Sequence, residues 1–292
     1  MAPISLLRGA VLGLAAMSLF AAYDILVKFL GSSYSPFQIM FFTSISAVPL
    51  VMLQMALDPA PDNFRPKLPR WTIARSVVAL LQGSMGVYCF TVLPLAQAYA
   101  IFFTMPLMIT FLAALFLGEK VGLARAVAAI IGFAGVLIAL DPGREALRLD
   151  HIIAFAAAFF GAVSYVIMRK TGHIERPAVL IIYPMLFQLV AVAIALPFVY
   201  VPMPINHILL TWAMSCLGIA GTYVIVAAYR AAPSAVVAPM QYVQIFWAAI
   251  AGAVLFGEEI SATTWFGLGL IVATGIYILT SARAQDAATA TL

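Results

Sequence analysis

Charge is what this sequence has least of. Only 9% of its 292 residues are charged and 65% are apolar, whereas a water-soluble domain carries roughly 25% charged residues to cover its surface. With a mean hydropathy of +1.09, most of that surface must face acyl chains. Cysteine is nearly missing as well. Cys89 and Cys216 each lie in an apolar run with no C-x-x-C or ligand spacing, which argues against a disulfide framework or thiolate metal site and reads as two buried thiols. Of the three histidines, His151, His173 and His207, all fall in loops or at the ends of apolar runs. No Gly-rich phosphate-binding loop with its Lys is present, so the chain holds no ATP-driven motor of that kind. The formal net charge of +4 is spread one to three residues at a time between apolar runs. That pattern fits membrane-flanking anchors and excludes a nucleic-acid surface.

What fills the chain instead is a succession of apolar runs of about 20 residues, each long enough to cross a hydrocarbon core of about 30 Å. Ten spans are placed near 8–30, 36–57, 71–92, 95–117, 121–141, 150–170, 177–199, 208–230, 234–256 and 261–281. The stretch from Trp71 to Leu117 holds one charge, Arg75, and as a single helix would reach about 70 Å. It must turn back, and Leu93-Pro94-Leu95 is the natural place. With both termini inside, 12 Lys and Arg fall on the cytoplasmic side and 3 (Lys28, Arg144, Arg148) outside, a strong positive-inside bias. The first apolar run lacks a convincing cleavage site and reads as an uncleaved helix. Residues 284–292 are small and polar and are expected to form a disordered tail.

The chain is also repeated within itself. Lys28 and Arg169 end corresponding spans, and Pro36 and Pro177 open the next ones, both at an offset of 141. Pro94 matches Pro233, and Leu117-Gly118-Glu119 matches Phe256-Gly257-Glu258, both at 139. The repeats are assigned as 1–141 and 142–283. Each holds an odd number of spans, so the second inserts upside-down relative to the first. Such inverted repeats place a substrate path on the pseudo-two-fold axis near the midplane.

The doubled Gly-Glu helix ends, each followed by a glycine-bearing helix (Gly132 and Gly135; Gly267, Gly269 and Gly275), resemble the EamA-type members of the drug/metabolite transporter superfamily. Asp24 and Pro94 fit the same pattern, and the resemblance covers essentially the whole chain. It implies an all-α membrane protein of two inverted five-helix bundles around a central cavity. Spans 1, 3, 4, 6, 8 and 9 would line the cavity, and the 3–4 and 8–9 hairpins would open and close its ends. Members carry amino acids, sugars, nucleotide derivatives or drugs, commonly as exporters in the bacterial inner membrane.

Several polar groups stand where such a cavity would be. Asp24 and Lys28 share one face of the first span. They read either as an internal ion pair or as a substrate and coupling-proton site, because acids inside the membrane are functional by default. Gln82 is central in span 3, and Gln241 and Gln244 lie in span 9; buried amides either join helices or hold a substrate. Tyr99, Phe103 and Tyr242 are the aromatic candidates. Ser164 and Tyr223 are weaker ones on the second half. Pro94, Pro106 and Pro239 are candidate gating kinks. Glu119 and Glu258 read as helix-start acids that complement the next helix dipole.

Together these features predict a secondary transporter exporting a small metabolite by alternating access, with hydrophobic or aromatic amino acids the favoured substrates. Sugars, nucleotide derivatives and cationic drugs are the alternative cargoes, and an intramembrane transferase is the remote one. An enzyme would need clustered acids or a His/Asp/Ser constellation, and neither is present. No cofactor and no metal are expected. The partners are the lipid bilayer and a small-molecule substrate, and one chain, a monomer, should be one working unit, with dimers left open.

Overall fold

The computed structural model describes residues 3–57, 65–117, 123–140, 148–172, 174–175, 177–232 and 237–289. They form eleven α-helices and one 3-10 turn: α1 Pro3–Gly31, α2 Pro36–Leu57, α3 Pro69–Val92, α4 Leu95–Phe102, α5 Met105–Leu117 and α6 Leu123–Ala139, then α7 Leu149–Thr171, α8 Pro177–Val199, α9 Ile205–Ala231, the 3-10 turn Ala238–Tyr242, α10 Val243–Leu255 and α11 Ala262–Thr289. Taking α4 with α5, and the 3-10 turn with α10, as one crossing each, these elements fall on the ten expected spans. Among the described residues, five helices are individually long and apolar enough to cross a bilayer. No strand occurs among the described residues, as expected where backbone polar groups must be satisfied within each segment. At its C-terminal end α11 continues to Thr289, past residue 284 where the sequence suggests a tail.

Span four is not one helix. The Phe103 N–H reaches Tyr99 O at 2.9 Å and the Thr104 N–H reaches Ile101 O at 2.9 Å, and a new helix begins at Met105. Pro106 stands in the first turn of that helix, where its missing N–H is one no helix would have used. Pro239 lies in the 3-10 turn that opens the corresponding span of the second half. Pro94 sits between α3 and α4, and the Ala98 N–H bonds to its carbonyl at 3.0 Å.

The contacts between the two halves come in symmetric pairs. α1 packs on α9 as α3 packs on α7, and α2 on α9 as α3 on α8; α2 meets α8, α4 meets α10, and α6 meets α11. Exchanging the halves returns the same set, the signature of an inverted repeat.

Because lipid is as apolar as leucine, close packing of small residues holds such helices together rather than the hydrophobic effect. A Cβ built on Gly267 of α11 would lie 2.4 Å from the Ala139 backbone N, and one on Gly135 of α6 would lie 3.1 Å from the Gly267 carbonyl O. Thr264 Oγ1 adds a bond to Ala139 O at 2.9 Å across the same seam. Outward-facing residues are large and apolar, Phe198, Val254 and Phe111 among them. At one end of the bundle, fully buried Gln38 donates to Val201 O at 2.7 Å and accepts from Val201 N at 2.9 Å, clamping the start of α2 to the α8–α9 connection.

Candidate functional site

Between the halves lies a cavity of about 560 Å³, within the range of small-molecule sites. Its wall combines Tyr23, Asp24 and Val27 of α1 with Gln82, Gly86 and Phe90 of α3, Tyr99, Phe102 and Phe103 around the α4–α5 break, and Gln241 and Gln244 of the ninth span. Tyr165 of α7 completes it.

The aromatic side is continuous. Phe102 stacks on Phe90 (centroids 5.2 Å apart, 30°), and Phe90 meets Tyr99 edge-on at 5.3 Å. Tyr99 stacks on Phe103 at 5.8 Å, and Phe103 meets Tyr242 at 5.3 Å. Phe103 directly follows α4 and keeps helical backbone, so its ring stacks one turn along from Tyr99. Such a wall offers flat apolar area with little rotamer entropy to lose on binding.

The polar side centres on Asp24. The Tyr99 hydroxyl donates to Asp24 Oδ2, joining α1 to α4 at one carboxylate, and Gln244 of α10 lies on the same wall. Gln82 stands at mid-span against α7, where a Cβ on Gly161 would come within 3.1 Å of its Cδ. The absent side chain leaves that amide its room.

A charged pair lies one helical turn from Asp24, next to the cavity. Lys28, one turn along α1 from Asp24, pairs with Glu258 and not with its helix neighbour. Its Nζ also donates to Leu93 O at 2.6 Å and sits 5.4 Å from the Phe256 ring centroid. Glu258 Oε2 in turn accepts the Leu95 N–H at 3.0 Å. The two side chains are only 11% and 13% exposed. Gly257, at φ +64°, makes the left-handed turn that brings Glu258 back over α10. Gly252 makes room for it, since a Cβ there would lie 2.6 Å from Glu258 Oε2. Thus α1, the α3–α4 turn and the α10–α11 turn are tied at one point, on the side the Lys/Arg distribution assigns to the outside. Beside it Tyr88 donates to Asp150 Oδ1 at 2.8 Å, joining α3 to α7.

The structure gathers Asp24, Gln82, Tyr99, Phe103, Gln241 and Gln244 on the cavity wall, with Pro106, and Tyr242 packs behind Phe103. It does not bring Ser164 or Tyr223 there: Ser164 is buried in helix packing, and Tyr223 is 52% exposed on the outer face of α9. Tyr165, the neighbour of Ser164, faces the cavity instead. Glu258 is the residue the dipole reading undervalued. It does not cap α11, whose first turn is held by Ser261 Oγ accepting the Thr264 N–H at 3.1 Å. The signal was the doubled Gly-Glu; its other copy, Glu119, lies outside the described residues.

The model of the EamA-like transporter family matches residues 7–140 and again 149–281. The chain belongs to the EamA-like transporter family. Among similar proteins, a riboflavin transporter of Vibrio cholerae is 28% identical over 213 residues, covering 71% of this chain and 70% of that protein. A riboflavin transporter of Rhizobium johnstonii is 30% identical over 211 residues, covering 71% and 69%. An S-adenosylmethionine uptake transporter of Rickettsia bellii is 23% identical over 263 residues, covering 90% of each. One crystal structure of another protein superposes with a TM-score of 0.66 at 18% identity, over 94% of this chain and 98% of the other, which shows the shared fold. As an EamA-family member with such relatives, the chain is a multi-pass membrane transporter of a small molecule.

Proposed function

We propose that this EamA-family chain is a secondary transporter that carries an aromatic metabolite with a cationic or strongly donating group through the central cavity by alternating access. The observation that carries the reading is Asp24, a carboxylate on a wall otherwise made of rings and amides. A substrate ammonium would compete with the Tyr99 hydroxyl for that carboxylate, and the ladder from Phe102 to Tyr242 would take the flat apolar part. Aromatic and hydrophobic amino acids meet both demands; the direction is taken as export across a bacterial inner membrane, with both termini cytoplasmic, the sidedness to which the Lys/Arg distribution points. The closed Lys28–Glu258 end makes this the arrangement sealed on the outer side.

A second reading has its own support. Gln82, Gln241 and Gln244 offer more amide donors and acceptors than an amino acid needs, and the relatives named above carry riboflavin and S-adenosylmethionine. A heterocycle whose edge bonds to those amides would fill the same space. Sugars and nucleotide derivatives without a stacking base use the ring wall less well; aromatic cationic drugs would use it in the same way as the favoured substrates.

Purified protein in proteoliposomes decides between them. Labelled phenylalanine, methionine, riboflavin and S-adenosylmethionine are offered with and without an imposed pH gradient. Saturable uptake of an amino acid, competed by unlabelled relatives, supports the first reading, and uptake of only the heterocycles supports the second. Folded protein that moves none of the four would overturn both.

A further inference from the structure

At the end of the bundle opposite the Lys28–Glu258 pair lies a second recess that the transport path does not use. It is lined by Trp71 of α3, Leu112 and Phe116 of α5, and Val163, Val166, Ile167 and Lys170 of α7. Its volume is about 150 Å³, and an apolar cavity of that size stays dry while accepting a small piece of hydrocarbon. Its place among membrane-spanning helices means that hydrocarbon is what it meets.

The mouth of the recess is not apolar. Lys170 Nζ stands 4.4 Å above the Trp71 ring centroid, so a cation–π contact holds the ammonium at the rim. Arg65, Lys67 and Arg70, just before α3 and at its start, are all exposed at the same end. Glu175, the nearby described acid, is buried and accepts the Leu68 N–H. Among the described residues no carboxylate pairs with Lys170. The site therefore offers an apolar slot at acyl-chain depth and several positive charges at headgroup depth, with an indole between them.

We propose that this recess is a binding site for an anionic glycerophospholipid of the cytoplasmic leaflet. One acyl chain enters between α3, α5 and α7, and the phosphate meets Lys170 with the basic residues before α3. Basic pockets between transmembrane helices on the cytoplasmic side select such headgroups for this electrostatic reason. The site is independent of the transported substrate.

Trp71 reports on its own site. In a Trp212→Phe, Trp247→Phe, Trp265→Phe protein it is the remaining indole, and lipids brominated on the acyl chain quench it on contact. The expected result in mixed vesicles is that brominated phosphatidylglycerol quenches Trp71 at about one fifth the mole fraction that brominated phosphatidylcholine needs, the preference one Lys or Arg near an anionic surface supplies. Lys170→Gln should shrink that preference while phosphatidylcholine quenching stays the same. Equal quenching by the two lipids in the Lys170 protein overturns the proposal without any charge variant. Quenching by neither, which would mean that protein such as a second copy covers the recess, overturns it too.

Discussion

Replacing Glu258 by Gln keeps the shape of the Lys28–Glu258 junction, the outer seal of the proposed transport cycle, and removes one charge from it. The amide still accepts the Leu95 N–H, but Lys28 is left with the Leu93 carbonyl and the Phe256 ring. Breaking one side of a buried pair costs about 3–5 kcal/mol because the remaining charge stays desolvated and alone. Both side chains here keep a little exposure, so about 3 kcal/mol is the working figure. Since 1.4 kcal/mol is tenfold, the ratio of closed to open outer ends should fall about a hundredfold. Val27 reads this out. It is fully buried on the cavity wall next to Lys28, so a Cys there, with Cys89 and Cys216 changed to Ser, is reached by an impermeant maleimide only when the outer end opens. Labelling from outside should rise steeply in Glu258→Gln. It should fall back in the Lys28→Gln, Glu258→Gln double variant, which has no orphan charge. A folded Glu258→Gln protein labelled no faster than its parent would refute the closure.

Three further outcomes follow from named contacts. Asp24→Asn keeps a hydrogen-bond acceptor for Tyr99 but no charge for a substrate ammonium, so proteoliposome uptake should drop more than tenfold, chiefly through KM; unchanged kinetics would remove the carboxylate from substrate binding. Gly267→Leu should abolish a monodisperse peak in size-exclusion chromatography, because its side chain would enter the Ala139 backbone, whereas Gly269→Ala, with nothing within 4 Å of its Cβ, should elute as the parent does. Gln38→Ala leaves the Val201 N–H and C=O unpaired, at about 1–3 kcal/mol for each group left buried, and should lower the thermal transition in detergent by several degrees.

Much of this architecture was legible because lipid imposes it. Apolar runs of fixed length, one proline-marked turn and a sided distribution of Lys and Arg leave few arrangements open, and the repeated offset supplies the inversion. Tyr99 and Phe103 were candidates from their place along span four, and both line the cavity. Spacing could not say what stands across from a face. Asp24 and Lys28 look like each other's partner on a helical wheel, yet Tyr99 and Glu258, from distant parts of the chain, take them separately. Ser164 and Tyr165 are adjacent in sequence, and the rotation of α7 turned the tyrosine inward and the serine into packing. The break in span four comes at Phe103-Thr104, ahead of Pro106. A proline marks where a helix can begin, and the place where the previous one stops is set by what it packs against.

The pairing of contacts between the halves sorts the interfaces into two kinds. Under the alternating access proposed above, the halves would trade roles and the α1–α9 contact would become the α3–α7 contact, so those surfaces would have to work in two unlike settings. The α6–α11 contact is its own mirror and has nothing to become. A seam of that kind can serve as a fulcrum, and it is where glycine lets two backbones touch without side chains to reshuffle. Mutations at this seam would be felt equally in both facing states, whereas mutations on the exchanged surfaces would tilt the protein toward one of them.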